Sequence, residues 1–141
     1  MVGLILFSHA RLAEAFREVL QVVAGPQEQV RALGVDPKAG ADALERQLSE
    51  AIPTVDRGEG VVIVTDLFGG TPANFSLARM APGKVEVLSG LNLAMLLKFV
   101  EIRRQVSDPV TLARAMAMEG RESVVVASEV LKLGRAGKPG R

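Results

Sequence analysis

The chain carries one histidine, His9, and no cysteine. Imidazole is a good nucleophile when neutral, and it titrates near physiological pH. To attack phosphorus through one ring nitrogen, the other should hold the proton and have an acceptor for it. A carboxylate in that place fixes the tautomer and steadies the positive charge that develops on the ring. Asp66 is the candidate for that carboxylate. Three residues further on, Gly69 and Gly70 allow close backbone approach. Their amides, with that of Thr71 and the helix expected after it, suit an anion-binding nest. The Thr71 hydroxyl either adds a donor to the anion or caps its helix, and both uses stay open. Each residue also has an ordinary structural reading: a surface histidine, a turn-capping aspartate, a tight strand-to-helix connection. What favours chemistry is their convergence, which depends on the elements that carry them.

Residues 2–7 (Val-Gly-Leu-Ile-Leu-Phe) are a continuous apolar run, the pattern of a strand covered on both faces. Residues 10–24 read as a helix, with Leu12, Ala13, Phe16, Leu20 and Val23 on one face and Gly25-Pro26 as its stop. Val30 to Val35 is a weaker strand, and Ala41 to Ile52 a helix carrying Leu44, Leu48 and Ile52. After a turn at 58–60, Val61 to Val64 is the strongest strand signal and runs straight into Thr65-Asp66. Pro72 suits the first position of a helix capped by Thr71 and reaching about Met80. Residues 84–88 form a fourth strand, residues 91–103 and 109–118 are helices, and Ser123 to Ala127 is a short last strand. Residues 1–131 make one domain, and residues 132–141, Gly-rich and basic, make a disordered tail.

Alternating strands and helices give an α/β fold around a mostly parallel sheet, with helices on both faces. Ligands in such sheets sit beyond the carboxyl ends of the strands, where strand order reverses. With strand one central, strand two on one side and strand three on the other, that point lies between strands one and three. It brings Ser8-His9 together with residues 66–71.

Composition narrows the field. The 141 residues are 48% hydrophobic and 23% charged, with net charge +1, an ordinary globular balance without the basic excess of a nucleic-acid binder. Lacking cysteine and holding a single histidine, the chain is not expected to build a metal site, and no cofactor is implied. The apolar start lacks a charged leader region, and no apolar run approaches the roughly 20 residues that span a bilayer. A cytoplasmic protein without direct membrane insertion is expected. Neither a Walker A sequence nor a GxGxxG fingerprint is present. Met80, Met95, Met116 and Met118 read as core filler, and Arg103-Arg104 as solvated surface.

Three segments together resemble the mannose-type enzyme IIA proteins of the phosphoenolpyruvate-dependent sugar phosphotransferase system. They are Phe7-Ser8-His9-Ala10, the run Asp66-Leu67-Phe68-Gly69-Gly70-Thr71-Pro72-Ala73-Asn74, and residues 90–96 (Gly-Leu-Asn-Leu-Ala-Met-Leu). The resemblance covers about residues 2–130, and the aspartate-to-proline loop is its most specific part. It implies a phosphotransferase with a phosphohistidine intermediate. His9 would take a phosphoryl group from phospho-HPr and pass it to a histidine of a separate enzyme IIB, serving sugar transport. Asp66 would hydrogen-bond the histidine, and Thr71 would stand near the phosphoryl group. The fold implied is a four-stranded parallel sheet of order 2-1-3-4. A fifth, antiparallel strand, matching Ser123 to Ala127, would be exchanged within a homodimer. Phe68 stands where tryptophan is frequent and Ala94 where proline is common; neither removes a reacting group. The phosphocarrier subunit of dihydroxyacetone kinase also places a serine-histidine pair after its first strand, but the full 66–72 loop favours the mannose type. Alternatives are a regulatory enzyme IIA without a transport role, or a non-catalytic module binding an anion at the same loop.

Overall fold

The computed structural model describes residues 1–136. The elements follow in the order β1 (Gly3–His9), α1 (Leu12–Ala24), β2 (Val30–Val35), α2 (Ala41–Val55), β3 (Val61–Thr65), α3 (Thr71–Leu77), β4 (Val85–Ser89), α4 (Leu93–Ile102), α5 (Pro109–Glu122) and α6 (Ala127–Ala136). The four strands form one parallel sheet of order β2-β1-β3-β4. Both the α/β class and the strand order are as the sequence predicts.

The continuous apolar runs of β1 and β3 exist because each face of the sheet is covered. Alternate side chains point to opposite sides. Leu4, Leu6, Val62 and Val64 pack in a cluster with Ala13 and Leu20 of α1, Leu96 and Phe99 of α4, and Leu112 and Met116 of α5. Ile5, Phe7, Val61 and Ile63 face the other way, onto Leu44, Leu48, Ala51 and Val55 of α2. Each buried side chain of this size contributes roughly 1.5–3 kcal/mol. The sheet is therefore rigid up to its carboxyl edge, where β1 and β3 end side by side with Phe7 opposite Thr65.

Several local expectations are corrected. In α1 the covered stripe is Ala13, Phe16, Leu20 and Ala24, while Leu12 and Val23 are 45% and 56% exposed. They flank that stripe on the helical wheel, where the sheet no longer reaches them. Helix α2 does not stop at Ile52 but passes Pro53 to Val55. Val55 is buried, and its carbonyl accepts from Gln29 Nε2 at 2.8 Å, so packing holds the last turn. Met95 and Met116 are core, but Met80 and Met118 are exposed. Arg103 is buried, not solvated.

The strand expected at Ser123 to Ala127 is absent from the described chain. Ser123 caps α5, residues 124–126 join no strand, and α6 begins at Ala127. A strand needs a partner edge, and this segment meets none within its own chain. Helix α6 runs on to Ala136; the rest of the expected tail, residues 137–141, lies outside the described residues.

Candidate active site at the carboxyl edge of the sheet

His9 is the last residue of β1, and Asp66 follows β3 directly. The parallel register brings the two strand ends together. Asp66 Oδ2 accepts the His9 backbone amide at 3.0 Å and also lies 3.0 Å from His9 Nδ1. One carboxylate oxygen thus grips both the main chain and the ring of the same residue. The Asp66 side chain is 13% exposed, whereas that of His9 is 50% exposed. Burial alone would raise the carboxyl pKa of Asp66. The side-chain and backbone hydrogen bonds from His9, with its charge, outweigh burial and hold the pKa below the ordinary value. An ionised carboxylate only accepts, so in the neutral imidazole Nδ1 carries the proton and Nε2 keeps its lone pair.

Gly70 stands against the ring. A Cβ at this position would stand 2.8 Å from His9 Cε1 and 3.3 Å from Nε2. Cε1 and the free nitrogen therefore lie close to the Gly70 backbone. Thr71 does not cap its helix, contrary to one expectation. It is the first residue of α3, whose cap position is Gly70 and which has no side-chain cap. The threonine hydroxyl is released from that duty. Leu67 and Phe68, in the same loop, are 61% and 71% exposed.

Sequence reasoning missed two devices that hold the histidine. Ser8 is fully buried; its hydroxyl donates to the His9 carbonyl at 3.0 Å and accepts the Ala13 amide at 2.6 Å. It is the side-chain cap that α1 lacks at its own cap position, Arg11. A serine just ahead of a predicted helix start is a recognisable capping signal. The second device is Ala10, held at φ +48°, a left-handed conformation costing roughly 1–2 kcal/mol for a non-glycine residue. Its amide donates to the Val35 carbonyl at 3.2 Å. Gly34 makes room for that turn, since a Cβ there would meet the Ala10 carbonyl oxygen at 2.1 Å. No sequence pattern announces this pairing. Among the described residues, no three His, Asp or Glu side chains converge as metal ligands.

The class of protein is thus a parallel α/β domain that presents a carboxylate-backed imidazole at an open edge of its sheet. Comparison with known proteins narrows this. The family model for the PTS system fructose IIA component matches residues 3–118. The sorbose-specific EIIA component of Lacticaseibacillus casei is 33% identical over 96 residues, which is 67% of this chain and 69% of that protein. The fructose-specific EIIA component of Bacillus subtilis is 25% identical over 133 residues, covering 94% and 90%. The crystal structure of a phosphotransferase system EIIA component from Streptococcus agalactiae superposes with a TM-score of 0.83 at 27% identity, covering 92% of this chain and 99% of that one. The chain belongs to the mannose/fructose-type enzyme IIA family of the sugar phosphotransferase system. Its class of activity is phosphoryl transfer. No helix among the described residues is long and apolar enough to cross a membrane.

Proposed function

We propose that His9 is the phosphoryl carrier of this enzyme IIA, taking the group from phospho-HPr and delivering it to a histidine of an enzyme IIB in the cytoplasm. The observation that carries this reading is the double hold of Asp66 Oδ2 on the His9 amide and Nδ1, both at 3.0 Å. It leaves Nε2 as the nucleophile on a half-exposed ring. The Nε2 lone pair forms the new N–P bond as the N–P bond to the donor histidine breaks. The donor nitrogen keeps that electron pair. The Nδ1 proton stays in place, and the positive charge on the ring is balanced by Asp66. Transfer to the acceptor repeats the step in reverse.

Gly69, Gly70 and Thr71 bind the phosphoryl oxygens through backbone amides and the free Thr71 hydroxyl. Both partners are proteins, so the surface around His9 has to be an interface. The exposed Leu67 and Phe68 supply apolar contact beside the reacting atom. The working form is a homodimer, which gives residues 124–126 the partner they lack in one chain.

Incubation with phosphoenolpyruvate, enzyme I and HPr should add one acid-labile phosphoryl group per chain, and His9→Ala should abolish it. A label that persists in the His9→Ala protein would refute the assignment. No added phosphoryl mass, together with saturable anion binding, would instead favour the non-catalytic module. Transfer from the phosphorylated chain to a IIB protein separates a transport role from a regulatory one.

A further inference from the structure

We propose that the opposite end of the sheet holds a second anion site, built around Arg103, for a small oxyanion of the phosphate or carboxylate class. Arg103 caps the carboxyl end of α4 and is 3% exposed, the only charged side chain among the buried described residues. Its guanidinium lies 4.4 Å over the Phe99 ring. It donates to Gln27 Oε1 at 3.2 Å and to the Val2 carbonyl at 3.3 Å, both neutral acceptors. Its Nε–H is buried with no hydrogen-bond partner. No ion pair among the described residues includes it. Glu28 acts on it only through space, without an ion-pair contact. A buried cation so weakly compensated is disfavoured, and Arg loses its proton too reluctantly to escape by neutralising.

The group also borders a cavity. A space of about 150 Å³ has Met1, Gln27, Glu28, Val100, Arg103 and Arg104 in its lining. Arg104 adds a second guanidinium. Glu28 is the one carboxylate in the lining, and its Oε2 is taken by Arg57 at 3.6 Å. The lining itself holds two arginines against one glutamate. A planar donor fork that is half satisfied, beside an open space, matches the bidentate geometry of an oxyanion. This end lies on the far side of the sheet from His9, because Val2 precedes β1 and His9 closes it. Seven strand residues at about 3.3 Å each separate the two sites by roughly 20 Å.

The test is a titration of the full chain with inorganic phosphate, and separately with acetate, at ionic strength held constant with chloride. Amide chemical shifts are followed at 26–28 and 103–104 and, for comparison, at 69–71. We expect saturable shifts in the first group that survive in His9→Ala. They should weaken at least tenfold in Arg103→Met, which keeps side-chain bulk. Arg104→Gln, a change at the exposed neighbour that leaves the core intact, should weaken them several-fold even if Arg103→Met does not fold. Shifts with phosphate alone assign a tetrahedral oxyanion, and shifts with both probes assign the broader class. Absence of saturation with either probe below about 10 mM overturns the site. So does binding that Arg104→Gln leaves unchanged, or binding that disappears with His9→Ala.

Discussion

Gly70 has φ −84° and ψ 176°, extended backbone that any residue adopts. What alanine would change there is only the Cβ, aimed at the imidazole from 2.8 Å. The ring is half exposed and can swing away, so the cost should fall on catalysis and not on folding. Gly70→Ala is expected to keep stability within about 1 kcal/mol of the parent and to slow phosphorylation at least tenfold. Urea unfolding and a timed transfer assay separate the two; equal stability with unimpaired transfer would refute the proposed path to Nε2. Asp66 gives a pH signature. Its folded pKa is lowered from an ordinary 3.8, so the stability it contributes is present above that value and lost as pH falls through the lower, folded one. The gap in urea midpoint between the parent and Asp66→Asn should therefore be constant above about pH 5 and shrink below the ordinary carboxylate value. His9 and Asp66 were legible in sequence because strand ends in a parallel sheet converge predictably. The contact between Gly70 and the ring was not, because it depends on a loop path that no periodicity encodes.

At the level of elements, the site is a join between β1 and α1 made in only two residues, Ala10 and Arg11. So short a connection cannot relax, and it is held by Ser8 from within and by Gly34 from the neighbouring strand. Ser8→Ala removes the acceptor for the Ala13 amide and the donor to the His9 carbonyl together. Loss of a helix cap and an orphaned buried amide should cost about 1–2 kcal/mol. The histidine should also be less well fixed, so transfer should slow while Asp66 is intact. Thermal melts and the same timed assay check both effects, and a variant as stable and as fast as the parent would remove Ser8 from the positioning set. The elements themselves were mostly readable: β2 has its predicted bounds, and β1 and β3 sit where apolar runs placed them. The failures share a cause. Thr71 and Pro72 looked like cap and first turn, yet the chain enters α3 one residue earlier, through Gly70. Val55 lies past a proline that marks a stop, yet burial against the sheet carries α2 beyond it.

For the whole molecule, the core is finished well before the chain is. The last residue in either buried cluster is Met116. Beyond it, Val124, Val125 and Val126 are 79%, 62% and 59% exposed, and Val130 and Leu131 of α6 are 48% and 62% exposed. Three adjacent β-branched residues are a strand signal that the single chain leaves unused. Strand β4 meanwhile has β3 as its only strand neighbour, and beyond the single bridge from Val85 to Ala81 its outer edge is open among the described residues. An open edge and an unpaired apolar segment are complementary needs, and two copies can meet both by exchange. Three valines alone are far too little for a stable interface, which buries roughly 1,200–2,000 Å². Strand pairing and α6 would have to contribute as well. Val125→Asp should therefore break the dimer without touching the core. Sedimentation equilibrium is expected to show a dimer for the parent and a monomer for the variant, with unchanged circular dichroism. His9 phosphorylation should persist in that monomer, since Asp66, Gly70 and Ser8 all come from the same chain as His9. A parent that sediments as a monomer, or a variant that stays dimeric, would mean that residues 124–126 serve some other contact.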